Sequence, residues 1–310
     1  MITKPMDVLT HFEIRKSKKQ KQAFHSAVIA YAQRCGYDTK VEKGSFGCRN
    51  LIFGDPEKAN FLVTAHYDTP ASIGLPNFIT PCNPWIFILW QILLLIPFFA
   101  VAFLAGLIVS LLTKNDMLTF LAAYIAYFGM LFLMMFGPAN RHNANDNTSG
   151  VVTVLEMMSS LPEDLRSKVC FVLFDLEEAG LVGSSSYRKA HKAATDRQLL
   201  LNLDCVGDGD HIVLFPNKKL KQDNAKMALL EKLTAVCGKK SIQIHREGFA
   251  YCPSDHKHFP YGVGIMAFHH KKVLGLYCDR IHTWRDTVLE QTNVNILRAA
   301  IISMIGAAEK

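Results

Sequence analysis

The chain has 310 residues with a formal net charge of +7, and half of its residues are hydrophobic. That length suits one globular domain plus a small additional element, and the mean hydropathy of +0.13 owes much of its excess to two apolar runs. No aromatic-interleaved basic patch and no nucleic-acid motif accompanies the positive charge, so nucleic acid is not an expected partner.

The basic stretch Arg15-Lys16-Ser17-Lys18-Lys19-Gln20-Lys21 opens a predicted helix that continues to about Arg34. Such a run is ordinarily a solvated face; on a membrane-tethered domain it also meets anionic headgroups, at about 1 kcal/mol per basic residue near the surface. Short β-rich pieces follow around Tyr37 to Val41 and Asn50 to Phe53. Then comes Asn60 to His66, a nearly continuous apolar run of the kind that buried parallel or mixed sheets use. Up to about Ser72 there is no apolar segment with a cleavage site, so nothing marks the chain for export before the next feature.

Pro84 to Leu112 and Met117 to Phe136 hold about 29 and about 20 residues without Asp, Glu, Lys, Arg or His, against roughly 20 needed to cross a hydrocarbon core. Only Thr113-Lys114-Asn115-Asp116 separates them. Buried core helices are seldom so long and so free of charge on every face. The expectation is a transmembrane helical hairpin over 84–137, kinked at Pro97, with Trp85 and Trp90 in the headgroup zone. One domain is then built from two pieces, 1–83 and 138–310, and two crossings bring the chain back to the side it left. Orientation rests on few charges, Lys114 at the tip against Arg141 on the domain side. With no export signal, the domain is expected on the cytoplasmic face of an integral membrane protein. Eight scattered cysteines, none in CxxC or CxC spacing, read as buried thiols rather than bridges.

Beyond the hairpin, Asn147-Thr148-Ser149-Gly150 leads into a helix over Val151 to Ser160. Val169 to Phe174 and Leu199 to Leu203 read as strands with a helix from Gly183 to Ala194 between them, and Ile212 to Phe215 as a further strand. Gln222 to Val236 looks helical, Gly264 to Phe268 extended, and Glu290 to Ala308 is a closing helix. The alternation predicts an α/β fold, a mixed and largely parallel central sheet with helices on both faces. No internal repeat or low-complexity segment is present.

Polar residues cluster just after these strands: His66 and Asp68, then Glu177 and Glu178, then Asp204. Open α/β sheets gather their ligand sites beyond the carboxyl ends of their strands. With Asp146 at a helix start and His282 in Ile-His-Thr-Trp-Arg-Asp, the set fits two divalent metal ions, zinc before others because of the mixed His and carboxylate donors. His66, Asp204 and Asp146 suit one ion, and His282, Glu178 and the same Asp146 the other. Asp68 lies two residues after His66, on the same face of an extended chain, where it can accept the imidazole's second N–H. Glu177 is left over and is the candidate general base, taking a proton from water and passing it to the leaving amine. Singly these signals are weak, since a Glu-Glu pair is ordinarily a solvated turn and a lone His structural. Their order and placement carry the argument.

The strings Ala65-His66-Tyr67-Asp68-Thr69, Asn145-Asp146-Asn147-Thr148-Ser149-Gly150 and Asp175-Leu176-Glu177-Glu178-Ala179-Gly180 resemble the dizinc aminopeptidase family that includes aminopeptidase Y and bacterial leucyl aminopeptidases. Asn202-Leu203-Asp204, Ser254-Asp255-His256 and His282-Thr283 with Asp286-Thr287 follow in that family's order. The resemblance implies a zinc-exopeptidase fold acting on peptides, the five ligands and base named above, and one further candidate. Tyr251 falls where some members carry a tyrosine that stabilises the tetrahedral intermediate. Asp255 and His256 would shape the substrate pocket. The departure is the insert: about eighty residues separate the His-x-Asp and Asp-Asn blocks, where relatives have a short loop.

The activity expected is that of a membrane-anchored aminopeptidase. An acylamino-acid or dipeptide hydrolase is the second reading, though only about eighty residues lie between Asp204 and His282, too few for the dimerisation domain of that relative. A single-zinc glutaminyl cyclase would leave His66 without a metal. A non-catalytic, membrane-bound binding subunit is the alternative of another class; such proteins have generally lost ligands that this chain retains. The preferred N-terminal residue and the oligomeric state are not encoded in any motif.

Overall fold

The computed structural model describes residues 1–72, 74–237 and 239–308. The first piece contains helices α1 (Asp7–His11) and α2 (Lys18–Arg34) and strands β1 (Thr39–Lys43), β2 (Arg49–Phe53) and β3 (Phe61–His66). Helices α3 (Pro84–Thr113) and α4 (Asp116–Phe136) form the insert. The second piece adds α5 (Gly150–Ser160), β4 (Val169–Phe174), α6 (Val182–Ala190), α7 (Lys192–Thr195), β5 (Leu199–Leu203), β6 (His211–Pro216), α8 (Lys218–Lys221), α9 (Asn224–Glu231), β7 (Ala235–Cys237), β8 (Lys240–Ile244), β9 (Gly262–Lys271), β10 (Gly275–Tyr277) and α10 (Gln291–Ala308).

Both pieces build one sheet in the order β1-β2-β4-β3-β5-β9-β6-β8-β7, with β10 paired to β9. Its centre, β4-β3-β5-β9, is parallel, and antiparallel pairings flank it. The apolar runs of β3, β4 and β5 are buried at every residue, as strands covered on both faces must be. Alternation divides them. Phe61, Val63 and Ala65 join the core shared with α2, α5, α9 and α10, while Leu62 faces a second core with Phe174, Tyr187 of α6 and Phe259. The central strands run in one direction, so their carboxyl ends share one edge, and the polar residues that follow them converge there.

The helix predicted from Gln222 to Val236 is shorter. Asp223 caps it by accepting from Lys226 N at 3.0 Å, but it ends at Glu231, and Ala235–Cys237 pairs antiparallel with β8 instead. Edge pairing outweighs helical propensity there. The basic run also departs from a plain solvated face. Helix α2 begins at Lys18 with a capping box between Ser17 and Gln20, and Arg15 before it is fully buried.

In the insert, Asn83 and Asn115 cap the two helices through Ile86 N and Leu118 N, and Lys114 turns between them at φ 50°. Gly106 lets the helices close: a Cβ there would meet the Thr119 carbonyl oxygen at 3.4 Å. Phe99 and Tyr127 stack across the pair. Both helices are long and apolar enough to cross a membrane, and little of either is buried within the protein. The seven cysteines whose side chains are described are all free thiols, five of them buried.

Candidate metal centre

His66 ends β3, and the turn after it places Asp68 beneath the Glu177-Glu178 pair that follows β4. The Asp68 carboxylate accepts the backbone N–H groups of Glu177 at 3.0 Å and Glu178 at 3.2 Å. Its approach to His66 Nδ1, 3.5 Å, is longer than a hydrogen bond. Asp68 therefore holds the two glutamates' backbone as well as flanking the imidazole, a duty that the His-x-Asp spacing does not announce.

Asp146 lies in the segment Ala144–Ser149 that leads into α5, anchored from three sides. Asn145 Oδ1 accepts from Gly207 N at 2.7 Å, Asn147 Nδ2 donates to the Leu203 carbonyl at 2.8 Å, and Asn147 Oδ1 accepts from Gly150 N at 2.9 Å. Asp286, four residues after His282, accepts from the backbone of Asn145 and Asp146 at 2.7 and 3.0 Å. The result is one carboxylate between two imidazoles: Asp146 Oδ1 lies 3.1 Å from His66 Nε2, and Oδ2 lies 2.9 Å from His282 Nε2. Asp204 Oδ1 is 3.7 Å from His66 Nε2, and Glu178 Oε1 is 3.5 Å from His282 Nε2. Asp204 is itself fixed by a chain of side chains, Thr64 donating to Asn202, Asn202 to Ser254 at 2.8 Å, and Ser254 to Asp204.

The donor atoms of His66, Asp146 and Asp204 lie within 4.8 Å of one another, as do those of Asp146, Glu178 and His282. Ligands at about 2.0 to 2.1 Å around a tetrahedral zinc stand about 3.3 Å apart, and the four contacts above bracket that spacing. Three protein donors per site leave a fourth position open. Glu177 falls outside both triads yet stays within the same 4.8 Å of donors on His66 and Glu178. Tyr251 is half exposed; its ring leans on Phe87 of α3 with centroids 5.0 Å apart, and its hydroxyl makes no hydrogen bond among the described residues.

The electrostatics call for cations. Burial pushes the Glu178 carboxyl up to about 8 although His282 opposes the shift. Glu177 is driven well above the carboxylate range by burial and by Glu178, Asp204 and Asp255. Burial works against charge on His282 too, but Glu178 and Asp146 lift it to about 9. Asp146 resists its own burial because His282 and His66 hold it below the usual range. Glu178 Oε1 is buried without a hydrogen-bond partner. Crowded, desolvated carboxylates that keep their protons are groups a divalent ion would discharge, so the donor set fits.

Arg15 is the residue that sequence reasoning passes over. Nε donates to the Tyr67 carbonyl and Nη1 to the Phe12 carbonyl at 2.6 Å and Thr148 Oγ1 at 3.1 Å. Burial lowers it to about 10, against the pull of Asp68, Glu13 and Asp146. It ties the first piece to both the His66 and Asp146 segments. Nothing in a lysine-rich run marks one member as buried.

An α/β sheet with imidazoles and carboxylates gathered at its carboxyl edge defines a metal-dependent hydrolase framework. A model of peptidase family M28 matches residues 131–303, more than half of the chain, and the chain belongs to that family. The dizinc aminopeptidase resemblance of the motifs is thereby borne out, although the His66 and Asp68 block lies outside the matched span. No curated protein matches the chain. Among solved structures it is similar to Porphyromonas gingivalis glutaminyl cyclase, with 16% identity and a TM-score of 0.61 over 98% of this chain and 96% of that one. It is also similar to a Zn-dependent exopeptidase from Parabacteroides distasonis, with 15% identity and a TM-score of 0.58 over 97% and 94%. The Legionella pneumophila LapA aminopeptidase shares 14% identity with a TM-score of 0.55 over 98% and 70%. At these identities the likeness is one of fold.

Proposed function

We propose that the protein is a membrane-anchored zinc aminopeptidase, removing residues from the N-termini of peptides. The observation that carries this reading is the placement of Asp146, one oxygen toward each of two imidazoles at 3.1 and 2.9 Å. His66, Asp146 and Asp204 would hold one zinc ion and Asp146, Glu178 and His282 a second. When bound, zinc lowers the pKa of water toward neutrality and polarises a carbonyl. Glu177, raised in pKa and outside both triads, takes the proton from the attacking water and delivers it to the leaving amine. Asp68 keeps Glu177 in place through its backbone N–H. Tyr251, by the resemblance of its segment, is assigned to the substrate carbonyl.

The α3–α4 hairpin anchors the domain in a bilayer. Its two apolar helices leave and re-enter the domain between Asn83 and Gly137, which joins the two pieces 1–83 and 138–310 on one side of the membrane, the cytoplasmic side in our reading. The test is hydrolysis of aminoacyl arylamides by the purified protein. Activity abolished by a chelator, restored by zinc and lost in Glu177→Gln supports the reading; Glu177→Gln turning over like the wild type, with metals bound, removes the assigned base. Cyclisation of glutaminyl peptides without arylamide hydrolysis would select the single-metal alternative, in which His66 has no ligand role.

A further inference from the structure

Beside the carboxyl end of α4 the surface opens into a cavity of about 350 Å³ lined by Lys16, Lys18, Lys21 and Arg49. These cations come from the linker before α2, its first turns, and β2. Asp175 neutralises one of them by pairing with Lys21, which leaves three positive charges without an acidic partner among the lining residues. At the cavity's lip the turn between β1 and β2 holds Phe46 in the left-handed region, φ 53°, with 91% of its surface exposed. The cavity adjoins the hairpin: Lys16 Nζ lies 3.5 Å from the carbonyl oxygen of Met135, next to last in α4.

The base of the other hairpin helix is furnished alike. Asn83, the cap of α3, donates to the Leu274 carbonyl at 3.4 Å, which brings the turn between β9 and β10 to the same level. Lys271 ends β9, its ammonium over the Tyr277 ring at 5.2 Å, and the turn after it carries Lys272 and Val273, the last 79% exposed. Basic side chains and a bare apolar residue thus stand at both points where the insert leaves the domain. Cations with an adjacent apolar residue match the phosphate and first acyl carbons of a lipid.

The geometry points to a binding site for the headgroup of an anionic phospholipid in the Lys16–Lys18–Arg49 cavity, with Phe46 against the acyl region and the β9–β10 turn as a second contact. This rests on the reading of α3 and α4 as membrane-spanning. It seats the domain, and with it the mouth of the metal centre, against the bilayer surface.

The experiment uses the full-length protein in non-ionic detergent micelles doped with equal amounts of phosphatidylglycerol and phosphatidylcholine, with retained lipid counted by native mass spectrometry. The wild type is expected to retain phosphatidylglycerol by about tenfold over phosphatidylcholine. Lys16→Gln/Lys18→Gln/Arg49→Gln loses that preference, and the charge-preserving Lys16→Arg/Lys18→Arg keeps it. Equal retention of both lipids by the wild type, or an unchanged preference in the glutamine variant, overturns the site. Displacement of the lipid by millimolar inorganic phosphate would reassign the cavity to a soluble anion, whereas lipid retained in phosphate supports the headgroup. Alkaline carbonate extraction of membranes separates the two layers of inference. Release of the protein overturns the membrane reading itself; a protein that stays in the membrane without lipid preference overturns only the headgroup site.

Discussion

The sheet domain and the hairpin treat the same kinds of residue in opposite ways. In β3, Phe61, Val63 and Ala65 face one core and Leu62 the other, all buried; in α3, Ile88, Ile92, Phe99 and Phe103 are between 49% and 68% exposed. The domain's apolar residues have partners supplied by the alternation of its strands. Beyond the first turns of α3, where Phe87 meets Tyr251 and Trp90 meets Phe78, those of the hairpin have mainly each other along one narrow seam, and their backbone groups are satisfied within each helix, as a hydrocarbon environment would require. The first region carries the candidate metal centre and the second two helices long and apolar enough to cross a membrane, and that division can be broken experimentally.

The largest effect expected is from Glu177→Gln, which should lower kcat by about a thousandfold while metal content, measured on the same sample, stays at the wild-type level. If metal is lost as well, Glu177 is a ligand and not the base. Next is Arg15→Met, which removes the cation joining the two pieces of the domain and leaves the carboxylates of Asp68 and Asp146 without it. A loss of about 2 to 3 kcal/mol in unfolding free energy is expected from denaturant titration, because the buried Tyr67 and Phe12 carbonyls and Thr148 Oγ1 lose their charged donor, and a change within error would make the buried guanidinium dispensable.

A third prediction concerns acid. Burial lowers His256 to about 3 and His25 to about 4, against the ordinary 6.5. Below pH 6.5 the unfolded chain takes up protons that the folded chain refuses, so stability falls with pH across that window, by about 1.4 kcal/mol per pH unit for each histidine. Above it neither contributes to the slope. Denaturation midpoints of wild type and His256→Gln between pH 6.5 and 4.5 check this, the variant showing a slope shallower by about one proton. The smallest effect tests the division itself. Replacing residues 84–136 with a short Gly/Ser linker should yield a water-soluble domain whose kcat on arylamides stays within a few-fold of the parent, and a collapse in kcat would make the hairpin part of the cleft.

The hairpin is legible in the sequence almost to the residue, because soluble domains seldom carry an uncharged run of membrane-spanning length, and Asn83 and Asn115 punctuate it. Strands β3, β4 and β5 are equally plain as short apolar runs. The far side of the sheet is not: β8 and β10 are not singled out, and Ala235–Cys237 at the edge beyond β8 reads as helix, because an edge strand is defined by its neighbour more than by its own residues. At the site, His66, Asp146, Glu178, Asp204 and His282 stand out by their order, and the structure brings their donor atoms together. What the sequence withholds is the supporting shell. Asp68 holding two backbone N–H groups, Asp286 holding two more and Arg15 buried at the junction are relations in space between segments far apart in the chain. Tyr251 is placed by resemblance alone, and its ring packs against Phe87.

The most direct test of a shared two-metal centre is anomalous diffraction at the zinc edge from crystals grown with zinc. Two peaks about 3.5 to 4 Å apart, one beside His66 and Asp204, the other beside His282 and Glu178, with Asp146 between them, is the predicted result. A single peak on the His282 side, with His66 free of metal, would contradict it.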